Sequence, residues 1–360
     1  MPEFCAVSHS FPKFLAIYSF ICNYLKAVTC PQPKILPDDP DMYLYTAALL
    51  AGFLLLMWSA SQLVTSASRL QQRLEVSGYI IGFLVLGFGT SAPELLVSGL
   101  SALQGNPGLA VGSAMGSNTT NILLILGMTL CVSPLYLNKD ALHMDFILLI
   151  AATSLFAGLI FDQNLQIYDG LILLAVLLII LYYKMRLEPG KQVQENLARD
   201  STRQNSMTTL LTRLLFSLAV LLLSSKLVVW SSVSIAKDLG ISDLIIGLTI
   251  VAVGTSLPEL ATCIASALKR HSELLLGNII GSNIFNTLGV VGTASLIAAY
   301  KVPHEVYMRD LPVMSGATAM LFILVLVFMR FGKIPRGISI LFISSYIAYI
   351  FLVYRQTLQT

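Results

Sequence analysis

Residues 89–94 read GTSAPE, and 165 positions later residues 254–259 read GTSLPE. Each hexamer lies inside an apolar run of membrane-spanning length, so a proline, a glutamate and two hydroxyls are placed twice where lipid is expected. Proline donates no hydrogen bond and its ring clashes with the carbonyl four residues back, so Pro93 and Pro258 disturb the helix at Gly89 and Gly254. Carbonyls around Gly87–Gly89 and Ala252–Gly254 then lose their regular partners. In lipid such groups are tolerated only where they face protein, water or an ion. A carboxylate at that depth is costlier still and marks function by default.

The rest of the chain agrees with that setting. Of 360 residues, 56% are hydrophobic and 11% charged, and the mean hydropathy is +0.79. A soluble domain carries about 25% charge, so the chain reads as an all-α polytopic membrane protein in a lipid bilayer. Apolar stretches near 43–65, 77–103, 109–133, 144–161, 168–183, 210–235, 241–268, 274–299, 311–329 and 336–354 predict ten transmembrane helices. The five cysteines show no metal or redox spacing and read as small apolar fillers. Residues 1–41 form an N-terminal extension with two open readings. Its apolar stretch 14–25 suits a signal-anchor, while Met42 opens the first good span and suits a misassigned start.

The two hexamers belong to a longer internal repeat. At the same offset of 165, Ser77, Ile80 and Gly82 fall on Ser242, Ile245 and Gly247. Gly112, Gly116, Ser117, Asn118 and Asn121 fall on Gly277, Gly281, Ser282, Asn283 and Asn286, with no gap. Each copy holds five spans, an odd number, so the second enters the membrane from the opposite face. The expected architecture is two inverted five-helix repeats with interrupted helices 2 and 7, over 42–186 and 210–360, joined by a loop at 187–209. Inverted repeats with matching broken helices are a transporter design, with the substrate site near the midplane.

Lys and Arg give an orientation. The central loop region with Lys184, Arg186, Lys191, Arg199, Arg203 and Arg213 is the most basic segment. Placing it in the cytoplasm puts Arg69, Arg73, Lys139, Lys269, Arg270, Arg330, Lys333 and Arg336 on the same side. The opposite side keeps Lys237, Lys301, Arg309 and Arg355, with Lys13, Lys26 and Lys34 of the extension.

Thr90 and Ser91 share a helical face with Glu94, and Thr255 and Ser256 repeat this with Glu259. On the following spans Ser117 pairs with Asn121, and Ser282 with Asn286, four apart. The sum is two carboxylates, two amides and several hydroxyls, all oxygen donors without His or Cys. That chemistry suits a hard ion such as Ca²⁺ or Na⁺, and not zinc or copper. The spaced glycines of 105–118 and 274–283 let helices approach closely. A structural ion pair with Lys226 is the rival for the glutamates, but one lysine cannot serve both.

GTSAPE followed by GSNTTN (116–121), and GTSLPE followed by GSNIFN (281–286), resemble the two alpha-repeats of the sodium/calcium exchanger family, part of the cation/Ca²⁺ antiporter superfamily. The resemblance covers roughly 43–355 and is to the compact bacterial and archaeal members. It implies ions held between the second, third, seventh and eighth helices. Glu94 and Glu259 would be the central carboxylates. Thr90, Ser91, Ser117, Thr255, Ser256 and Ser282 would supply hydroxyls, Asn121 and Asn286 amides, and Gly87 and Ala252 carbonyls at outer Na⁺ sites. Asn286 departs from members that carry an aspartate there, which bears on K⁺ dependence and Na⁺ stoichiometry. The Thr-Ser pairs favour sodium over proton coupling.

The expected function is therefore Na⁺/Ca²⁺ antiport by alternating access, with H⁺/Ca²⁺ exchange and a cation channel as alternatives. No cofactor, enzymatic activity or nucleic-acid partner is expected. A monomer in a bacterial inner membrane fits the reading.

Overall fold

The computed structural model of the chain describes residues 40–137, 142–187, 206–241, 246, 250, 252–304 and 306–357. The 14–25 stretch, most of the 187–209 loop, Lys139 and the repeat positions Ser242, Ile245 and Gly247 lie outside the described residues. Helix occupies every expected span. The first half holds α1 (Pro40–Leu74), α2 (Gly78–Leu103), α3 (Pro107–Val132), α4 (Leu142–Leu159) and α5 (Ile167–Leu187). The second half holds α6 (Met207–Asp238), α7 (Leu257–Leu268), α8 (Ser272–Ile297), α9 (Val306–Met329) and α10 (Ile338–Thr357). Eight of these are long and apolar enough to cross a bilayer, and α4 and α7 contribute shorter apolar helices.

Four two-residue strands record the inversion: β1 (Leu135–Tyr136), β2 (Asn164–Leu165), β3 (Tyr300–Lys301) and β4 (Lys333–Ile334). β3 sits 165 residues after β1, and β4 sits 169 after β2. β1 pairs with β4 and β2 with β3, both antiparallel, so each half lends one strand to each pair. The offset grows from 165 to 169 across α9, which has 24 residues against 18 in α4.

α8 is the hub. Its apolar window is buried throughout, against 17% for that of α10. Glycines let α2 lie on it backbone to backbone. A Cβ at Gly82 would meet Gly277 Cα at 2.9 Å, and one at Gly281 would meet Phe83 Cα at 2.9 Å. The large apolar cluster gathers side chains of α2 to α5 and α7 to α10, including Phe83, Met115, Phe156, Cys263, Leu276 and Phe342. A separate cluster joins α1 and α6 to the rest, through Leu56, Ala60, Leu63, Leu214, Leu221 and Ala261. α1 and α6 pack closely on each other, with Tyr45 edge-on to Trp230 at 5.2 Å between centroids.

One charge assignment changes. Lys184, grouped by sequence with the basic central loop, is fully buried and forms an ion pair with the equally buried Asp145 on α4. Its ammonium also lies 5.7 Å from the Phe83 ring centroid. In the second half Asp310 stands 165 residues after Asp145. It pairs with Arg309 at 2.7 Å and accepts a 3.1 Å hydrogen bond from Tyr349 Oη on α10.

Candidate functional site

The two hexamers sit at the crossing of α2, α3, α7 and α8, and each copy solves its proline differently. Ahead of GTSAPE, α2 widens into a π-helical stretch, Gly82–Gly87, then runs α-helical from Phe88 to Leu103 with Pro93 inside. Ahead of α7 a short helical piece, Ala252–Gly254, ends in a turn at Thr255–Ser256, so Pro258 falls in the first turn of α7. A proline there gives up an N–H that had no partner anyway. The carbonyl that Pro258 leaves open, that of Gly254, accepts a 3.3 Å hydrogen bond from Ser225 Oγ of α6. α3 and α8 each carry a π-helical stretch as well, Asn121–Ile125 and Phe285–Val290. Both begin at or beside the candidate asparagines, which fits the tendency of such bulges to occur at functional sites.

Most of the candidate side chains come together in the interior. Thr90, Ser91 and Ser282 are fully buried, and Ser256, Glu259, Asn121 and Asn286 are at most 3% exposed. Ser117 is buried, and Glu94 is half-buried with its Oε2 enclosed. Glu94 and Glu259 lie within electrostatic reach of each other, and the Thr90 hydroxyl donates to the Leu86 carbonyl at 2.9 Å. Gly87 brings α2 against α8 at this level, because a Cβ there would meet Ser282 N at 3.0 Å. Thr255 does not join the enclosed set; it is exposed at the turn. Ala252 lies on the short piece before that turn. Lys226, the rival partner for the glutamates, is exposed on α6.

The polar atoms left over have one chemistry. Glu94 Oε2, Glu259 Oε2, Ser91 Oγ, Ser282 Oγ, Asn121 Oδ1 and Asn286 Oδ1 are all enclosed and have no protein hydrogen-bond partner. Two of the three pairs, the glutamates and the asparagines, are related by the repeat. An enclosed polar atom without a partner costs about 1–3 kcal/mol, more when charged, so six such oxygens in the interior mark this region as a candidate ligand site. An all-oxygen set with two carboxylates has the chemistry that suits a hard cation. The neighbouring asparagines spend their amide nitrogens within the protein, Asn118 Nδ2 on Thr287 Oγ1 at 2.7 Å and Asn283 Nδ2 on the Ile279 carbonyl, while their Oδ1 atoms are unpartnered too.

Sequence reasoning missed Ser225, the hydroxyl that takes up the Gly254 carbonyl. Its repeat mate is Ala60, so the repeat itself carried no signal for it.

Comparison with known proteins places the fold in a family. The family model described as sodium/calcium exchanger protein matches residues 44–186 and 209–355. The chain is 28% identical to sodium/calcium exchanger MaX1 of Methanosarcina acetivorans, over 84% of this chain and 96% of that one. It is 35% identical to inner membrane protein YrbG of Escherichia coli strain K12, over 87% and 98%. Among solved structures, the sodium-calcium exchanger NCX_Mj soaked with Na⁺ and Sr²⁺ superposes with a TM-score of 0.74 at 30% identity, covering 86% of this chain and 98% of that one. With both repeats matched and the same fold around a buried oxygen cluster, this multi-pass membrane protein belongs to the sodium/calcium exchanger family.

Proposed function

We propose that the chain is a Na⁺/Ca²⁺ antiporter in which both ions use one site in turn. The observation that carries this reading is the enclosed cluster of six unpartnered oxygens around Glu94 and Glu259. Two carboxylates balance one Ca²⁺, and the same oxygens serve Na⁺ when Ca²⁺ leaves. Thr90, Ser91, Ser117, Thr255, Ser256 and Ser282 supply hydroxyls, Asn121 and Asn286 amide oxygens, and Gly87 and Ala252 carbonyls. Thr255, exposed at its turn, is placed to meet an ion at the edge of the cluster and not at its centre.

Access alternates as α1 and α6 shift together against the remaining helices. Two features support this: the two helices pack on each other, and they meet the rest through a small apolar cluster distinct from the main one. On the side bearing Lys269, α1 is held by that lysine, whose ammonium donates to the Ser61 carbonyl at 2.5 Å and to Thr65 Oγ1. The basic bias places that side, with the 187–209 loop, in the cytoplasm. The two exchanger modules are 42–186 and 210–360, and the MaX1 and YrbG likenesses support an archaeal or bacterial type of exchanger in the inner membrane.

The test is ⁴⁵Ca²⁺ uptake into proteoliposomes under imposed Na⁺, K⁺ or H⁺ gradients. An outward Na⁺ gradient is expected to drive uptake, and Glu94→Gln and Glu259→Gln each to abolish it with the protein still folded. Na⁺-driven flux surviving in both variants sinks the shared-site reading. Uptake driven by a pH gradient without sodium replaces Na⁺ coupling with proton coupling.

A further inference from the structure

Nine buried hydroxyls in the described spans are satisfied in one way. Ser59, Thr90, Thr119, Thr129, Thr153, Ser217, Ser224, Ser231 and Thr318 each donate to a carbonyl three or four residues earlier on their own helix. That local bond is the usual way for Ser or Thr to be satisfied inside a helix. Thr262 and Ser266 on α7 are fully buried and depart from this: neither Thr262 Oγ1 nor Ser266 Oγ has a protein partner. The hydroxyls of Ser91 and Ser282 in the candidate site share this property, as do those of Ser295 on α8 and Ser315 on α9. Thr262 and Ser266 lie three and seven residues after Glu259, so they continue its face of α7 toward Lys269. Asn278 of α8, also fully buried, meets α7 at Cys263, the residue next to Thr262. Its Nδ2 donates to Cys263 Sγ at 3.3 Å, and its Oδ1 is left without a partner.

We propose that Thr262, Ser266 and Asn278 form a second cation site, a neutral one, on the Lys269 side of Glu259. This rests on the exchanger reading above and assigns a stepping site to one face of it. The site holds three neutral oxygens and no carboxylate. Ca²⁺ affinity rises with the number of charged ligands, so a divalent ion is poorly compensated here and a monovalent hard cation, Na⁺, is favoured. Weak binding is what a transit site needs, since an ion must enter and also leave. At the mated positions the first half keeps a buried serine, Ser101, for Ser266, but loses the Thr262 oxygen. Thr262 corresponds to Val97, an exposed apolar residue, and Asn278 to Ser113. Ser98, the mate of Cys263, spends its hydroxyl on the Val290 carbonyl at 3.0 Å. The two faces of the exchanger therefore differ in how they hand Na⁺ to the glutamates.

The experiment is Na⁺-driven ⁴⁵Ca²⁺ flux in oriented proteoliposomes, with Na⁺ titrated separately on each face, for wild type, Thr262→Val and Ser266→Ala. Thr262→Val copies the first half. Loss of one neutral ligand is expected to raise the Na⁺ concentration for half-maximal flux roughly fivefold on the Lys269 face and leave the other face unchanged. Thr262→Ser, which keeps the oxygen, restores the wild-type value. If Thr262→Val cannot be recovered folded, Asn278→Ser makes the same measurement from α8. With wild-type flux intact, an equal shift on both faces, or none, overturns this site and leaves the exchanger reading standing. Wild-type protein that moves no ⁴⁵Ca²⁺ on a Na⁺ gradient overturns both.

Discussion

The two copies of the hexamer share five of six residues and stand in different backbones. In the first, helix continues through Pro93, and Glu94 lies in the middle of α2. In the second, the chain turns at Thr255–Ser256, and Glu259 lies in the first turn of α7, whose start no side chain caps. Free amides at a helix start favour a carboxylate, so Glu259 has electrostatic support from its own helix that Glu94 lacks. The repeat duplicates ligands without duplicating their surroundings. Each half can therefore favour a different step of a cycle although the motif reads alike.

The largest effect that would probe this asymmetry lies away from the glutamates. Asp145 and Lys184 are a fully enclosed pair, while the second-half group of Asp310, Arg309 and Tyr349 is partly open. Removing one partner of an enclosed pair costs about 3–5 kcal/mol, so Asp145→Ala is expected to lower the thermal unfolding midpoint in detergent sharply. Asp310→Ala, which loses a hydrogen-bonded but partly solvated carboxylate, is expected to cost about 1–3 kcal/mol. Equal losses would mean that the halves are anchored alike. Next comes Gly277→Ala: its Cβ would meet Tyr79 O at 2.5 Å and Gly82 Cα at 2.9 Å, both backbone. Forcing α2 off α8 costs about 1–3 kcal/mol and should also weaken Ca²⁺ binding, read by calorimetry.

Smaller effects refine the comparison at single atoms. Ser225→Ala leaves the Gly254 carbonyl without its donor and is expected to cost about 1 kcal/mol, whereas its mate position, Ala60, already has no hydroxyl. A chemical-denaturation midpoint unchanged by Ser225→Ala would mean that this carbonyl is supported elsewhere. The smallest change is at the loop after each motif helix. Gly105 (φ 80°) and its mate Arg270 (φ 60°) both adopt the left-handed conformation. Arg270→Gly is expected to stabilise by up to about 1 kcal/mol, because only the arginine suffers the Cβ clash there. A lower unfolding midpoint would show that the arginine side chain gives back more than its backbone costs.

Much of this molecule was legible in its residues. Ten spans, an inverted repeat and two costly glutamates follow from composition, an odd number of helices per copy, and Gly, Pro and Glu recurring in apolar runs. The site's oxygen chemistry was equally plain, because Thr90, Ser91 and their mates keep helical spacing with the glutamates, and Asn121 and Asn286 with Ser117 and Ser282. Lys184 was misread because a lysine at the end of a span looks the same whether it reaches water or folds back onto Asp145. Thr255 sits in a ligand motif, yet its exposure is set by where the chain turns.

The sequence by itself determined the membrane setting, the duplication and the kind of ligand, since these depend on residue type and spacing within single helices. Only the tertiary structure decided that α2 stays continuous where the second copy breaks, that Ser225 meets Gly254, and that Asp145 and Lys184 are enclosed together. Those outcomes depend on which helix lies against which, and short-range spacing carries no record of contacts between residues 29 or 39 positions apart. The unpartnered oxygens of Thr262, Ser266 and Asn278 belong to the same class. Their residue types are ordinary, and only packing shows that they forgo the local bonds their neighbours make.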